Sequence, residues 1–272
     1  MYRSKPSNTT KSTLIPLLMS ALFLMPGARR IIAAEEAPND AGAMLLVLED
    51  CDSDNKLSTE PYGYIAYLLN SKCKLVRVVA RGLSITSSSG LSISEDGRFF
   101  AVCDGASNTL TVYDVASGVK LWSLLGIFNS AEFANGLLYA FNSESIFAID
   151  NKGTIVKHVR LGAFDMVFDQ SRDCLWISGL DIKKCDLDME VVLTVERIRN
   201  IEGPSLVEVS PDGSLWLAQR DAYYRSGNEN RLMKVSPEGT VLKTINLGFS
   251  PTCLCIDSSD GSVWTTGITK ER

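Results

Sequence analysis

LSISEDGRFFAVCDGASNTLTVYDVASGVKLWSLL, residues 91–125, holds a complete structural unit. A short apolar strand, 91–93, meets the turn Glu95-Asp96-Gly97, and the chain returns through 98–103. Residues 109–114 alternate Leu110, Val112 and Asp114 against Thr111 and Tyr113, the period of a strand with two different faces. Ala116-Ser117-Gly118 then turns the chain into a fourth strand, 119–125. Glycine and acidic or Asn residues sit where tight turns need them. The unit is four antiparallel strands.

The same phrase recurs on the C-terminal side. Residues 131–160, 166–197 and 206–247 each supply four strands, the last with a long polar loop over 220–230. A further unit starts with 252–256 and 262–266. On the N-terminal side, 44–48, 64–69 and 75–80 read as the last three strands of an earlier unit. An aromatic residue near the start of each second strand marks the period: Phe100, Tyr139, Trp176, Trp216 and Trp264, at intervals of 39, 37, 40 and 48 residues. A period near forty with several short strands per unit predicts an all-β chain, a β-propeller of four-stranded antiparallel blades. Four whole blades and partial ones at both ends predict five or six blades, either closed by pairing of the C-terminal strands with the N-terminal ones or left incomplete. The aromatic ladder is expected to fill the wedges between adjacent sheets.

The composition is that of a globular protein, 45% hydrophobic and 22% charged over 272 residues. A net charge of −5 offers no basic field for a phosphate backbone, which argues against nucleic-acid partners. Residues 1–34 read as a secretory signal, with Arg3, Lys5 and Lys11 ahead of an apolar run over 14–25 and a cleavage point at Ala33-Ala34. Residues 35–43 follow as a flexible leader and 44–272 as a single propeller domain. The expected destination is the periplasm or the extracellular space. Contact with a membrane is expected only if the signal stays uncleaved, an option raised by Arg29 and Arg30.

The seven cysteines fit an oxidising compartment, and no C-x-x-C pair occurs. A two-residue turn at Gly179-Leu180 would set Cys174 opposite Cys185, a candidate disulfide; two reduced thiols are the alternative. Cys253 and Cys255 share one strand face and read as core.

VSPDGSLWLAQ (209–219), ISEDGRFFAVCDG (93–105) and LLYAFNSESIFAIDNKG (137–153) resemble NHL-type and YVTN/WD40-like repeats of exported bacterial propellers. LTVYDVASGVKLW (110–122) and SIFAIDNKGTIV (145–156) also resemble quinoprotein-like repeats. The resemblance covers 91–267 and implies architecture rather than activity, since such propellers include enzymes, binders and scaffolds. The virginiamycin-B-lyase-like propellers, similar in blade phrasing, rely on a catalytic His. The one histidine here, His158, falls on a predicted outermost strand, away from any central channel. No catalytic residue is assigned. Ile201-Glu202-Gly203-Pro204 resembles the Glu-Gly-Pro step of the gluconolactonase family, which would make Glu202 a divalent-metal ligand, without matching Asn and Asp partners. Residues 50–61 resemble an EF-hand calcium loop, with Asp50, Asp52 and Asp54 at its first, third and fifth positions. That pattern has Asn55 in place of Gly and Pro61 in place of the bidentate Glu; Ca²⁺ is the one cofactor the sequence suggests.

Arg220, Tyr223, Tyr224 and Arg225 lie in the longest loop and are of the residue types that anchor interfaces. They make that loop face the expected contact surface for a protein, peptide or glycan. The resulting expectation is a binding module. A propeller enzyme of the lyase or metal-dependent lactonase type, and a quinoprotein-like redox-associated propeller, are the alternatives.

Overall fold

The computed structural model describes residues 28–34, 44–50, 64–69, 75–83, 90–105, 107–195, 205–219, 230–257 and 260–268. All regular structure among them is β, arranged as consecutive antiparallel sheets. The first blade is β1 (Ala28–Ala34), β2 (Met44–Asp50), β3 (Tyr64–Leu69) and β4 (Leu75–Leu83). The second is β5 (Leu91–Ile93), β6 (Phe99–Asp104), β7 (Thr109–Asp114) and β8 (Lys120–Leu125). The third is β9 (Ser130–Ala134), β10 (Leu137–Phe141), β11 (Ile146–Ile149) and β12 (Ile155–Val159). The fourth is β13 (Asp165–Asp169), β14 (Cys174–Ser178), β15 (Ile182–Asp186) and β16 (Val191–Val195). The fifth is β17 (Ser205–Val209), β18 (Leu215–Gln219), β19 (Asn230–Val235) and β20 (Val241–Leu247), and a two-stranded sheet, β21 (Ser250–Ile256) with β22 (Val263–Ile268), follows.

The chain is an all-β propeller. First strands lie against first strands: β5 beside β9, β9 beside β13, β13 beside β17 and β17 beside β21. Fourth strands form the outer rim, and their residues at Leu121, Leu125, Ile155, Val156, Val191, Val192 and Leu242 are exposed. The five four-stranded sheets exceed by one the whole blades expected among the described residues. The difference is β1, which pairs with β2 from Ala28↔Glu49 to Ala34↔Met44. These residues are expected at the end of the signal, up to the cleavage point at Ala33-Ala34, but an apolar run as short as Ile31-Ile32-Ala33-Ala34 also satisfies a strand.

One register feature repeats. The pairing of third with fourth strand slips after Val112, Ala148, Lys184 and Lys234. A bulge at a fixed place adds the same local twist to each blade, and it aligns the blades residue for residue. Opposite those four residues on the second strand stand Ala101, Tyr139, Trp176 and Trp216. The ladder expected from the sequence is therefore one residue out at its first rung. Phe100 pairs with Ile93 and Tyr113, the register of Leu138, Leu175 and Leu215 in the later blades. Neighbouring strand residues point to opposite faces, so Phe100 faces away from the third blade while Ala101 faces it. The spacing of 39 misled because an aromatic pair, Phe99-Phe100, happens to precede Ala101.

The core lies between sheets. Tyr139 and Phe141 of the third blade pack with Leu175 and Ile177 of the fourth. Trp176 packs with Leu215 and Leu217 of the fifth, and Trp216 packs with Leu254 of the sixth sheet. Burial of each such ring is worth about 1.5–3 kcal/mol. Trp264, at the same register in β22, is 50% exposed.

Candidate functional site

Where the ladder lacks its aromatic, a cleft opens. It lies between the second and third blades and has a volume of about 300 Å³. Its floor is apolar: Val112, Leu138 and Ile149 are fully buried core residues. Phe99, Trp122 and Phe133 form its walls. Ser94, Glu95, Asp96, Asp150 and Asn151 surround its mouth.

The next blade interface explains the space. There Tyr139 fills the gap, and its phenol donates to the carbonyl of Leu187 at 2.9 Å. Burial, with Asp188 and Asp186 nearby, pushes that phenol's pKa up and keeps it a donor. Between the second and third blades the position is Ala101, and the carbonyl matching that of Leu187 belongs to Asn151. Trp122, from the fourth strand, donates its indole N–H to it at 3.1 Å. The residues in register with Trp122 on the later blades are Lys157, Leu193 and Lys243. One indole thus replaces the missing inter-blade tie without filling the missing volume. One face of the Trp122 ring is closed by Gly153, where a Cβ would come within 2.9 Å of the ring. Gly153 has φ +82°, so its turn also requires a left-handed residue.

The carboxylates at the mouth are held in place by turns. Glu95 accepts from the Asn135 N–H at 2.9 Å and from the Gln170 amide at 3.4 Å, linking the first turns of three blades. Asp96 accepts from the Ser94 hydroxyl at 2.6 Å and the Arg98 N–H at 3.0 Å. Partial burial pushes the Asp96 carboxyl up, but these donors and the Arg98 charge outweigh it and hold it below the usual carboxylate range. Asp150 is likewise held low, by the Thr154 N–H first and the Lys152 N–H after it. All the charged residues lining the cleft are acidic. Arg98 stacks over Phe99 at 4.9 Å and pairs with Asp114 at 3.9 Å.

Most of the residues expected from sequence are not among those the structure describes. Arg220, Tyr223, Tyr224 and Arg225, and the metal candidates Asp52, Asp54 and Glu202, lie outside the described residues. Asp50 ends β2, opposite Tyr64. Residues 220–229 join β18 to β19, a second-to-third-strand connection. The cleft mouth is built from first-to-second and third-to-fourth strand turns, Ser94 to Asp96 and Asp150 with Asn151. Among the described residues, no three His, Cys, Asp or Glu side chains converge as a metal site.

His158 is on β12, the rim strand expected for it, stacked on Phe147 at 4.7 Å and hydrogen-bonded to the Ser145 hydroxyl at 3.0 Å. The expected Cys174–Cys185 alignment is corrected. Ser178 pairs with Ile182, so the turn holds three residues, and Cys174 pairs with Asp186 while Leu175 pairs with Cys185. A slip of one residue sends the two sulfurs to opposite faces of the sheet. Both are buried free thiols, and burial raises Cys185 to about 12.

No family model matches the chain, and no curated protein matches it in sequence. Solved structures do. The chain is similar to hydrazine synthase of Kuenenia stuttgartiensis, with a TM-score of 0.64 and 14% identity over 96% of this chain and 77% of that one. It is also similar to a chain of a mitotic checkpoint complex, with a TM-score of 0.63 and 13% identity over 98% of this chain and 79% of that one. Both are propeller proteins, and at these identities the likeness is one of fold.

Proposed function

We propose that the protein is a β-propeller binding module whose ligand enters the cleft between its second and third blades. The observation that carries this is the alanine at position 101, in the register that holds Tyr139, Trp176 and Trp216 in the following blades. A packed interior leaves few voids of this size, and a volume of about 300 Å³ is at the lower end of small-molecule sites. An apolar interior with polar groups gathered at one mouth is the arrangement by which pockets combine affinity with orientation. The export signature of residues 1–34 adds a periplasmic or extracellular setting to this reading.

The test is a thermal-shift fragment screen on the protein and on Ala101→Tyr, which restores the ladder residue. The variant should melt higher by itself, and fragments that stabilise the parent should leave its melting temperature unchanged. Fragments that shift parent and variant equally would place binding elsewhere and end this reading.

A further inference from the structure

We infer that the ligand of this cleft joins an aromatic ring to an ammonium group; the inference rests on the cleft being the binding site. The chain fills the same register twice with that pair of groups. In the fourth blade Trp176 lies opposite Lys184, whose Nζ is 5.4 Å from the ring centroid. In the fifth, Trp216 lies opposite Lys234, whose Nζ is 5.8 Å from the ring. In the second blade the corresponding residues are Ala101 and Val112. Relative to the fourth and fifth blades, this interface lacks both a ring and a cation.

The surroundings favour the same chemistry. In the fourth and fifth blades the ammonium is met by oxygen: Lys184 donates to the Pro237 carbonyl at 3.4 Å, and Lys234 donates to Asp212 at 2.8 Å. At the cleft the oxygens are present without the lysine, as Glu95, Asp96 and Asp150. The donors that Asp96 receives are both on Oδ1, so Oδ2 is left to a ligand. Phe99, Trp122 and Phe133 offer ring surface to an aromatic guest, and a cation near such faces gains further attraction. Arg98 over Phe99 is an instance of that contact within the chain.

The experiment is isothermal titration of the full chain with three indoles that differ in charge: tryptamine, 3-ethylindole and indole-3-propionate. Tryptamine is expected to bind about tenfold more tightly than 3-ethylindole, a difference of about 1.4 kcal/mol, with indole-3-propionate weakest. Glu95→Gln with Asp96→Asn, both exposed turn positions, should reduce that ratio to near one, and an unchanged ratio overturns the pairing of the ammonium with these carboxylates. Equal binding of tryptamine and 3-ethylindole, lost in Ala101→Tyr, overturns the ammonium and leaves the cleft as a site for neutral rings. Failure of all three indoles to bind at millimolar concentration overturns both. A peptide amide beginning with Trp, titrated beside tryptamine, separates the two sources of this chemistry. Tighter binding of the peptide assigns the ring and ammonium to a chain N-terminus, and tighter binding of tryptamine assigns them to a free amine.

Discussion

Single residues hold the turns from which the cleft mouth and its repeats are built. In Ser210-Pro211-Asp212-Gly213, the Asp212 carboxylate accepts from Lys234 at 2.8 Å and from the Ser214 N–H at 2.9 Å, and the Ser210 hydroxyl also donates to it. Lys234 is the largest cause holding this carboxyl far below its usual range, with Ser210 and Ser214 adding to it. A carboxyl whose folded pKa is depressed stabilises the fold above its unfolded pKa, near 4, and that contribution is lost as the pH falls through the folded value. Asp212→Asn should therefore cost about 1 kcal/mol at pH 7, a modest figure because the side chain is 56% exposed. The penalty should shrink steadily in urea titrations taken from about pH 4 down toward pH 2, and one that stays constant with pH would remove the ionic contribution. The S-P-D-G turn was legible in the sequence, because its residue types state the conformation they need. The lysine was not, because its approach depends on strand register twenty residues away.

At the scale of elements, the hairpins follow from local pattern, and their register follows from contact between blades. Cys174 and Cys185 show the difference. Both lie on the expected strands, but Gly179 donates to the Asp181 carbonyl across a three-residue turn, which moves the pairing by one. The turn takes that form beside the connection between the third and fourth blades. A Cβ on Gly179 would come within 2.8 Å of the Gly162 carbonyl, and one on Gly162 within 2.1 Å of the Ser143 carbonyl. Backbone meets backbone at both places, so no side-chain movement can relieve the overlap. Gly162→Ala is expected to destabilise by about 1–3 kcal/mol, the usual cost of overpacking. Chemical denaturation would measure it, and a change below about 0.5 kcal/mol would mean that the two blades can separate freely. Ala101 belongs to this scale as well. A small residue in a strand carries no signal of its own, and only the shared bulge after the third strand identifies it as the missing rung. Trp122, the tryptophan that stands outside the ladder, was the one sequence clue to the cleft.

For the whole molecule, the interfaces between blades carry the core, and the N-terminus bears on the first of them. Residues 28–34 combine the sequence character of an export signal with a place as the first strand of the first blade. A chain beginning at Glu35 lacks β1 and its pairing with β2. It should melt at least about 4 °C below a chain beginning at residue 28, which corresponds to about 2 kcal/mol for a domain of this size. Equal melting temperatures in calorimetry would show that β1 adds nothing to the propeller. The sequence by itself determined the architecture, since alternation, turn residues and a period near forty are local properties that survive in any blade order. It determined the rim position of His158 for the same reason. Tertiary structure alone decided where the blades fail to fill the space between them. A void is the sum of side chains from two sheets, here Val112 and Trp122 facing Leu138 and Ile149, and no segment of the sequence contains both sides of it.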